Sequence, residues 1–358
     1  MVTHFYGIVG EQDFEHIGYV LKVFFSILVK VRISGFAEAP GMEDMMQIVL
    51  QLLLLAVGFV MLIKGADWFV DGASKIADKF GIPQLVIGLT IVAMGTSAPE
   101  AAVSITSALK GSAGITIGNV VGSNIMNVLV ILGLTAVIRA IAVKKSTIRY
   151  EIPFTIAITA VLALLGLLDN TVGRMDGVIL WVLMIVYLVY LLRMARKGQD
   201  MVEDVPKLTE KDTPLRMILS IVIGAVLIVW GADVTVNAAT ELAIIFGMSD
   251  RLIGLTIVAF GTSLPELVTS VTAAIKGKAD IAVGNIVGSN IFNILFVVGT
   301  TALITPVVYS GGFLVDTIVA VGAVVLLLVC VLPKKKLGRL GGVVMLAGYA
   351  AYFVYLIQ

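Results

Sequence analysis

The sequence predicts an all-α polytopic membrane protein whose ten transmembrane helices form two five-helix repeats of inverted topology. Composition, a series of long apolar runs and an internal duplication predict it. Of the 358 residues, 59% are hydrophobic and only 14% are charged, and the mean hydropathy is +1.06. Soluble domains are nearer half apolar and a quarter charged. The chain is therefore expected to lie in a membrane.

Ten apolar runs approach the length of about 20 residues with which a helix crosses the ~30 Å hydrocarbon layer. They are residues 47–69, 84–108, 113–138, 150–168, 176–194, 216–239, 252–275, 280–304, 313–332 and 339–357. A charged stretch separates the fifth run from the sixth. We therefore expect, in order, an N-terminal extension (1–45), a first five-helix repeat (46–194), a cytoplasmic linker (195–215) and a second five-helix repeat (216–358).

The N-terminal extension has three possible interpretations. Residues 17–36 are apolar but include three basic residues, so this stretch could be an interfacial helix or a poor signal peptide. It could also lie upstream of a true start at Met42, Met45 or Met46. We favour the last interpretation, because the first strong span begins almost immediately after those methionines.

An internal duplication relates the two halves of the chain. Residues Val86–Ile138 align without a gap with Leu252–Ile304, at an offset of 166 residues, and 32 of the 53 positions are identical. Because each repeat is predicted to contain an odd number of spans, the second must enter the membrane upside down relative to the first. Many secondary transporters have this architecture, with the binding site near the midplane where the repeats meet.

The charges of the loops test this count independently, because short cytoplasmic loops accumulate Lys and Arg. If the first span starts outside, the predicted inner loops hold eighteen basic residues and the outer loops hold three. We therefore expect a multi-pass protein of the cell membrane, with both ends of the ten-helix core outside.

Several function classes are disfavoured by the residues present. A net charge of +1 gives no field that would attract nucleic acid. Cys330 is the one cysteine, and His4 and His16 precede the first strong span. A zinc site or a Ser/His/Asp triad in the membrane core is therefore not expected. The sequence has no phosphate loop of the Walker type, so nothing indicates an ATP-driven pump. Because the core has no nucleophile–base pair, we expect no enzyme activity, and we expect no cofactor. The expected partners are Ca²⁺ and Na⁺ ions and membrane lipid, and a monomer is possible.

The first chemically informative motif is GTSAPE at Gly95–Glu100, repeated as GTSLPE at Gly261–Glu266. A proline in mid-span removes an N–H donor and disturbs the carbonyl one turn earlier, so we expect freed carbonyls near Thr96 and Thr262. A glutamate follows each proline. An ionised carboxylate at the bilayer centre costs roughly 2.5 kcal/mol or more, and neither span core contains Lys or Arg. We therefore favour a functional role over a structural ion pair.

These residues predict an all-oxygen site with a charge of about −2. Calcium takes 6–8 oxygen ligands at ~2.3–2.6 Å and would be neutralised there. Zinc or copper would favour His or Cys ligands, and magnesium keeps several of its waters. Calcium is the divalent ion that fits best.

The second motif is GNVVGSNIMN at Gly118–Asn127, repeated as GNIVGSNIFN at Gly284–Asn293. Its glycines four residues apart are expected to allow close helix packing. Its serine and last asparagine lie at i and i+4, on one helix face, and are predicted to supply neutral oxygens for monovalent ions, although polar packing between helices is the alternative. Outside the motifs, Asp67 and Asp233 are expected to have structural roles at the membrane interface.

The paired motifs resemble the α-repeats of sodium/calcium exchangers, within the cation/calcium antiporter superfamily, and the resemblance covers residues 47–357. It implies ten helices, four ion sites in a central diamond, and exchange of Na⁺ for Ca²⁺ by alternating access. The implied calcium ligands are Glu100, Glu266 and the carbonyls of Thr96 and Thr262. The implied sodium ligands are Ala93, Ser97, Ser123, Asn127, Ala259, Ser263, Ser289 and Asn293, with Glu100 and Glu266.

Three alternatives remain. Potassium-dependent exchangers have an aspartate where this chain has Asn293, which argues against K⁺ coupling. H⁺/Ca²⁺ antiporters of the superfamily typically have GN-x-x-E in place of the first motif. A cation channel could use a similar oxygen ring, but duplicated helices broken by proline are more typical of transporters.

Overall fold

A computed structural model describes residues 42–110, 115–197, 213–247, 259–309 and 311–357. These residues are helical apart from short connections and four two-residue strands. Of the predicted extension only residues 42–45 are described, and of the predicted linker only residues 195–197 and 213–215.

Six of the described helices belong to the first half of the chain and six to the second. The first six are α1 Met42–Phe80, α2 Gln84–Thr96, α3 Ala98–Leu109, α4 Thr116–Ile138, α5 Thr147–Asp169 and α6 Arg174–Lys197. The others are α7 Pro214–Ile245, α8 Ala259–Gly261, α9 Leu264–Ile275, α10 Ala279–Ile304, α11 Gly311–Val331 and α12 Arg339–Ile357.

The described part of the chain contains eight helices that are long and apolar enough to cross a membrane, or nine if the bent pair α2–α3 is one span. The prediction of a membrane-spanning helical protein is confirmed to this extent. The remaining predicted span, the seventh in chain order, covers residues 252–275, and its first seven residues lie outside the described ranges.

Helix α1 is longer than the predicted span 47–69. It has 39 residues, or about 58 Å at 1.5 Å per residue, nearly twice the hydrocarbon thickness. Lys75 and Lys79, expected in a loop, therefore lie on the helix. The sequence has no proline in this stretch before Pro83, and the helix ends just before Gly81, whose φ of +63° is left-handed. The helix therefore ends at the left-handed conformation of Gly81 and not at residue 69, where hydropathy falls.

The chain divides into two compact units. The smaller comprises residues up to 60 together with 233–258, and its described core contains Leu55, Ala238 and Ala239 with Phe59 packed against them. The larger comprises residues 61–232 and 259–358. Apolar stretches of α10 and α4 are 94% and 72% buried, against 11–39% for the other spans. The two helices that carry the second motif are therefore the most enclosed.

Helices α10 and α2 approach closely at glycines. A Cβ added to Gly284 would lie 3.0 Å from the Cα of Gly88, and one added to Gly288 would lie 2.8 Å from the Cα of Leu89. The predicted packing role is confirmed for these two motif glycines. It is not seen at Gly122, where an added Cβ would meet no described atom within 4 Å. By the offset of 166, the residue equivalent to Leu89 is residue 255, which is not described.

Two small antiparallel pairings join the connections between helices. Strand β1 (Ile141–Ala142) pairs with β4 (Lys336–Leu337), and β2 (Thr171–Val172) pairs with β3 (Val307–Val308). By the repeat offset, β1 corresponds to β3. Helix α5 runs from β1 to β2. Strands β1 and β3, which are equivalent in the two repeats, therefore lie at opposite ends of the 23-residue helix α5.

Candidate cation-binding site

Each copy of the first motif divides its helix in two. Helices α2 and α3 are bent by 50° at Ser97, where φ and ψ are −85° and 8°. Ser263 begins α9 with nearly the same angles, −92° and 4°. The prolines are the second residues of α3 and α9, a position where their missing N–H has no helical partner to lose. The proline therefore begins a new half-helix instead of kinking a continuous one.

The glutamates follow at the third position of these half-helices. Glu100 and Glu266 thus lie in the first helical turns, where the helix dipole favours negative charge. Their side chains are 1% and 0% exposed, and the two carboxylates are close enough to interact electrostatically. The Oε2 atom of each is buried without a hydrogen-bond partner among the described residues. Two buried carboxylates therefore each present an unpartnered oxygen.

Hydroxyl groups from both repeats reach Glu266. The Ser97 hydroxyl donates to Glu266 Oε1 at 2.8 Å. The Ser289 hydroxyl lies 3.5 Å from the same oxygen and 3.4 Å from the Ala93 carbonyl oxygen. That carbonyl also accepts the Ser97 N–H at 3.0 Å. Four residues of the predicted sodium set are therefore in direct contact.

The two halves of this arrangement differ in one respect. Ser263 is the repeat equivalent of Ser97, and it is also buried, but its hydroxyl has no hydrogen-bond partner in the described part of the chain. Near-identical sequence has therefore folded into unequal local contacts.

Asn119 and Asn285 position the half-helices. They are not among the site residues predicted from the sequence. The Asn285 amide donates to Ser270 Oγ at 2.9 Å and to the Glu266 carbonyl oxygen at 3.4 Å. Asn119 makes the equivalent bonds to Ser104 and Glu100, at 2.9 and 3.3 Å. These asparagines fix the backbone that carries each carboxylate. Their recurrence in both motifs was the signal that could have identified them.

A second contact joins the repeats through the same amide. The Thr96 hydroxyl donates to Asn285 Oδ1 at 2.9 Å. The break in α2–α3 is thereby tied to the motif of the other repeat, on α10.

Four asparagines of the second motif form a reciprocal network. The Asn124 amide donates to the Asn290 carbonyl oxygen at 3.2 Å, and the Asn290 amide donates to the Asn124 carbonyl oxygen at 3.1 Å. Asn127 donates to Asn290 Oδ1 at 3.0 Å, and Asn293 donates to Asn124 Oδ1 at 3.2 Å. Equivalent residues thus make equivalent contacts across the repeats.

The orientation of the two outer asparagines leaves oxygens available. Because the amide nitrogens of Asn127 and Asn293 are used in the network, their Oδ1 atoms point elsewhere, and both are buried without a described partner. A π-helical turn begins at each, Asn127–Leu132 and Asn293–Val298. Such turns are frequent at functional sites.

The remaining predicted residues are placed with less detail. Ser123 is buried on α4, and Thr262 is half-buried at the break before α9. Ala259 begins α8, but its side chain is not described. Asp67 has the structural role expected of it, because the Lys276 ammonium lies 2.5 Å from Asp67 Oδ1. Asp233 is exposed.

The arrangement is suited to hard cations. Buried polar atoms nearly always have a partner, so a group of exceptions requires an explanation. Among the described residues, four carboxylate and amide oxygens of the two motifs lack one, besides the Ser263 hydroxyl: Oε2 of Glu100 and Glu266, and Oδ1 of Asn127 and Asn293. All are carboxylate or amide oxygens, the ligand type that hard cations prefer.

Comparison with known proteins identifies the family of this chain. The profile of the sodium/calcium exchanger protein family matches residues 50–193 and 217–358, nearly the whole described chain. The chain belongs to the sodium/calcium exchanger family. The resemblance found in the two motifs is confirmed, and this exchanger is a membrane protein with multiple apolar helices.

The exchanger matches individual relatives over almost their whole length. It is 41% identical over 314 residues to the candidate antiporter CaxA of Alkalimonas amylolytica, covering 84% of this chain and 96% of the relative. It is 32% identical over 347 residues to the sodium/calcium exchanger MaX1 of Methanosarcina acetivorans, covering 86% and 99%. The solved structure of the sodium-calcium exchanger NCX_Mj, soaked with zero Na⁺ and Ca²⁺, matches with a TM-score of 0.74 at 32% identity, covering 86% and 99%.

Proposed function

We propose that this exchanger transports Ca²⁺ against Na⁺ by alternating access at a site built on Glu100 and Glu266. The observation that carries the proposal is the pair of buried carboxylates, each in the first turn of a half-helix and each with one unpartnered oxygen. Buried carboxylates without a cation are costly. A transported cation would supply the missing charge.

Calcium is the divalent ion proposed for this pair. Two carboxylates neutralise one Ca²⁺, and the remaining ligands it requires are oxygens. The carbonyls of Thr96 and Thr262 lie at the two helix breaks, next to the serines that begin the half-helices. We assign both carbonyls to the calcium shell.

Sodium would use the neutral oxygens around the same carboxylates. The contacts of Ser97 and Ser289 with Glu266 and Ala93 support this assignment, as do the unpartnered oxygens of the two outer asparagines. The full proposed set is Ala93, Ser97, Ser123, Asn127, Ala259, Ser263, Ser289 and Asn293, with Glu100 and Glu266.

Alternating access would follow from ten spans in two inverted repeats. The strand pairings support this topology, because β1 and its repeat equivalent β3 lie at opposite ends of α5. The Ser97 hydroxyl is hydrogen-bonded and the Ser263 hydroxyl is not, as expected for a conformation in which the two repeats are not equivalent. In this proposal the linker 195–215 is cytoplasmic and both ends of the ten-helix core are outside.

Neutral Asn293 favours exchange without potassium. Its amide is engaged with Asn124 at 3.2 Å, and an aspartate there would place two acceptors against each other. The GTS-x-PE motifs favour Na⁺ over H⁺ as the driving ion.

Proteoliposomes containing the purified full chain test the proposal. Vesicles loaded with Na⁺ and diluted into choline medium should take up ⁴⁵Ca²⁺ to an internal concentration above the external one, which a channel driven by the Ca²⁺ gradient alone cannot do. Replacing internal Na⁺ with choline should stop uptake. Uptake driven by a pH gradient without Na⁺ would instead assign H⁺/Ca²⁺ exchange.

A further inference from the structure

A second buried carboxylate lies outside the proposed exchange site. Glu151 ends the π-helical first turn of α5, Thr147–Glu151, and is 1% exposed. Its Oε1 atom accepts a hydrogen bond from the Tyr190 hydroxyl on α6. Its Oε2 atom has no hydrogen-bond partner among the described residues. The exchange mechanism makes no use of this group.

Two further buried hydroxyls accompany this carboxylate. Thr147 lies one turn before Glu151, and Tyr187 lies one turn before Tyr190, so each shares a helix face with its neighbour. They are 1% and 4% exposed, and neither hydroxyl has a hydrogen-bond partner among the described residues. The hydrogen bond between Glu151 and Tyr190 brings these turns of α5 and α6 together. Three buried oxygens without a partner therefore lie on adjoining turns of the two helices.

Aromatic rings hold this location in place. Tyr187 is stacked on Phe154, with ring centroids 5.5 Å apart, and on Tyr190 at 6.5 Å. The stacking fixes the direction of the Tyr187 hydroxyl and surrounds the carboxylate with apolar surface. An isolated carboxylate in such surroundings is unfavourable without a compensating charge.

We propose that Glu151, Thr147 and Tyr187 bind a monovalent cation, and that this cation is Na⁺. One carboxylate and two neutral hydroxyls carry a charge of −1, which a monovalent ion neutralises and a divalent ion would exceed. In a cation site each oxygen lies ~2.3–2.6 Å from the ion. Two oxygens at right angles around the ion are then about 3.3–3.7 Å apart, which is too far for a good hydrogen bond between them. The described structure has no hydrogen bond among these three oxygens, as that arrangement requires. Only the choice of Na⁺ over other monovalent ions rests on the proposed function.

A similar acid–tyrosine pair provides a matched control. The Tyr352 hydroxyl on α12 donates to Asp316 Oδ1 on α11 at 2.8 Å. Here the nearby hydroxyls are satisfied, because Tyr309 donates to Thr317 Oγ1 at 2.8 Å and Thr317 donates to the Phe313 carbonyl oxygen at 2.7 Å. The pair has the same kind of hydrogen bond, but Asp316 is half-buried, and none of these hydroxyl or carboxylate oxygens is a buried atom without a partner.

Thermal unfolding of the detergent-solubilised full chain tests the proposal. In the background of Glu100→Gln/Glu266→Gln, which removes the exchange carboxylates, Na⁺ should raise the Tm relative to choline at equal ionic strength. Adding Glu151→Gln should raise the Na⁺ concentration that gives half of this effect by about tenfold or more, since it removes the one charged ligand of the proposed site. Tyr187→Phe should shift it in the same direction, and Asp316→Asn should leave it unchanged.

Three results would overturn the proposal. In the first, Glu151→Gln does not alter the Na⁺ dependence of the Tm. In the second, Asp316→Asn alters it as much as Glu151→Gln does. In the third, acid alone raises the Tm and this effect requires Glu151, which would identify a proton as the occupant. If the background variant does not fold, equilibrium binding of ²²Na⁺ is measured on the otherwise native chain with saturating Ca²⁺. Glu151→Gln should then remove one bound Na⁺, and an unchanged count would overturn the assignment.

Discussion

The Ser97 hydroxyl donates a hydrogen bond to Glu266 Oε1 across 2.8 Å, although the two residues are 169 positions apart in the chain. The first motif of one repeat therefore contacts the carboxylate of the other. Because the hydroxyl gives its proton to Glu266, the lone pairs of Ser97 Oγ remain available to a cation. One residue can thus position a carboxylate and serve as a ligand.

Replacing Ser97 with alanine should weaken Na⁺ binding. A hydrogen bond to a charged group contributes about 1.5–3 kcal/mol, so the Na⁺ concentration for half-maximal exchange should rise by about tenfold or more. The measurement is Na⁺-dependent ⁴⁵Ca²⁺ flux in proteoliposomes. Ser107→Ala, at a half-buried serine on helix α3, is the control. Equal effects of the two substitutions would contradict the role given to Ser97.

The contacts of Asn124 and Asn290 should stabilise the packing of the two repeats. Asn124→Ala removes the side-chain hydrogen bond to the Asn290 carbonyl, which keeps its bond from the Asn293 N–H, and leaves the buried Asn293 amide without its described partner. Asn290→Ala removes the bond to the Asn124 carbonyl and leaves the Asn127 amide without its described partner. A buried amide without a partner costs about 1–3 kcal/mol. Either substitution should lower the Tm of the purified protein. The two substitutions remove different hydrogen bonds, so the double variant should lose about the sum of the two single losses. A double variant much less destabilised than that sum would show that either change alone already disrupts the whole network.

The sequence predicted those parts of the site that have local causes. A proline four residues after a glycine in an apolar run predicts a break, and the structure has a 50° bend at Ser97. The glutamate that follows was identifiable because a carboxylate is rare at membrane depth. The end of α1 was predicted wrongly, because hydropathy falls after residue 69 while helix formation continues to Phe80.

Contacts between distant segments could not be predicted. The bonds of Asn285 to Thr96 and to Ser270 depend on how α10 packs against the broken helices, which no local pattern specifies. For the same reason the different environments of Ser97 and Ser263 are invisible in nearly identical motifs. No local pattern distinguishes Glu151 from the apolar run in which it lies, since its partner Tyr190 is on α6.

Exchange should not require potassium. Asn293 adds no charge to the site, and its amide is used in a hydrogen bond to Asn124. Rates of Na⁺-driven Ca²⁺ uptake should therefore be equal in media with and without K⁺, at a membrane potential held constant. A strict requirement for K⁺ would show that the neutrality of Asn293 has another cause.

A membrane potential should drive the exchange. Two Na⁺ per Ca²⁺ would be electroneutral and would need only the two carboxylates, but the proposed site also supplies neutral oxygens in both repeats. We therefore expect a third Na⁺ and one net charge per cycle, worth about 2.3 kcal/mol per 100 mV. The measurement is ⁴⁵Ca²⁺ uptake with the potential clamped by valinomycin and K⁺ at opposite signs. Rates that ignore the potential would establish two-for-one exchange.

The role of the paired carboxylates is the central claim, and Na⁺-gradient-driven ⁴⁵Ca²⁺ uptake by three glutamate variants tests it most directly. Glu100→Gln and Glu266→Gln keep the shape of each side chain and remove its charge, while Glu241→Gln makes the same change at an exposed glutamate on α7. With equal amounts of folded protein in the vesicles, we predict that each of the first two variants abolishes uptake and that Glu241→Gln transports like the native chain. Substantial uptake by either Glu100→Gln or Glu266→Gln would contradict the assignment of the site.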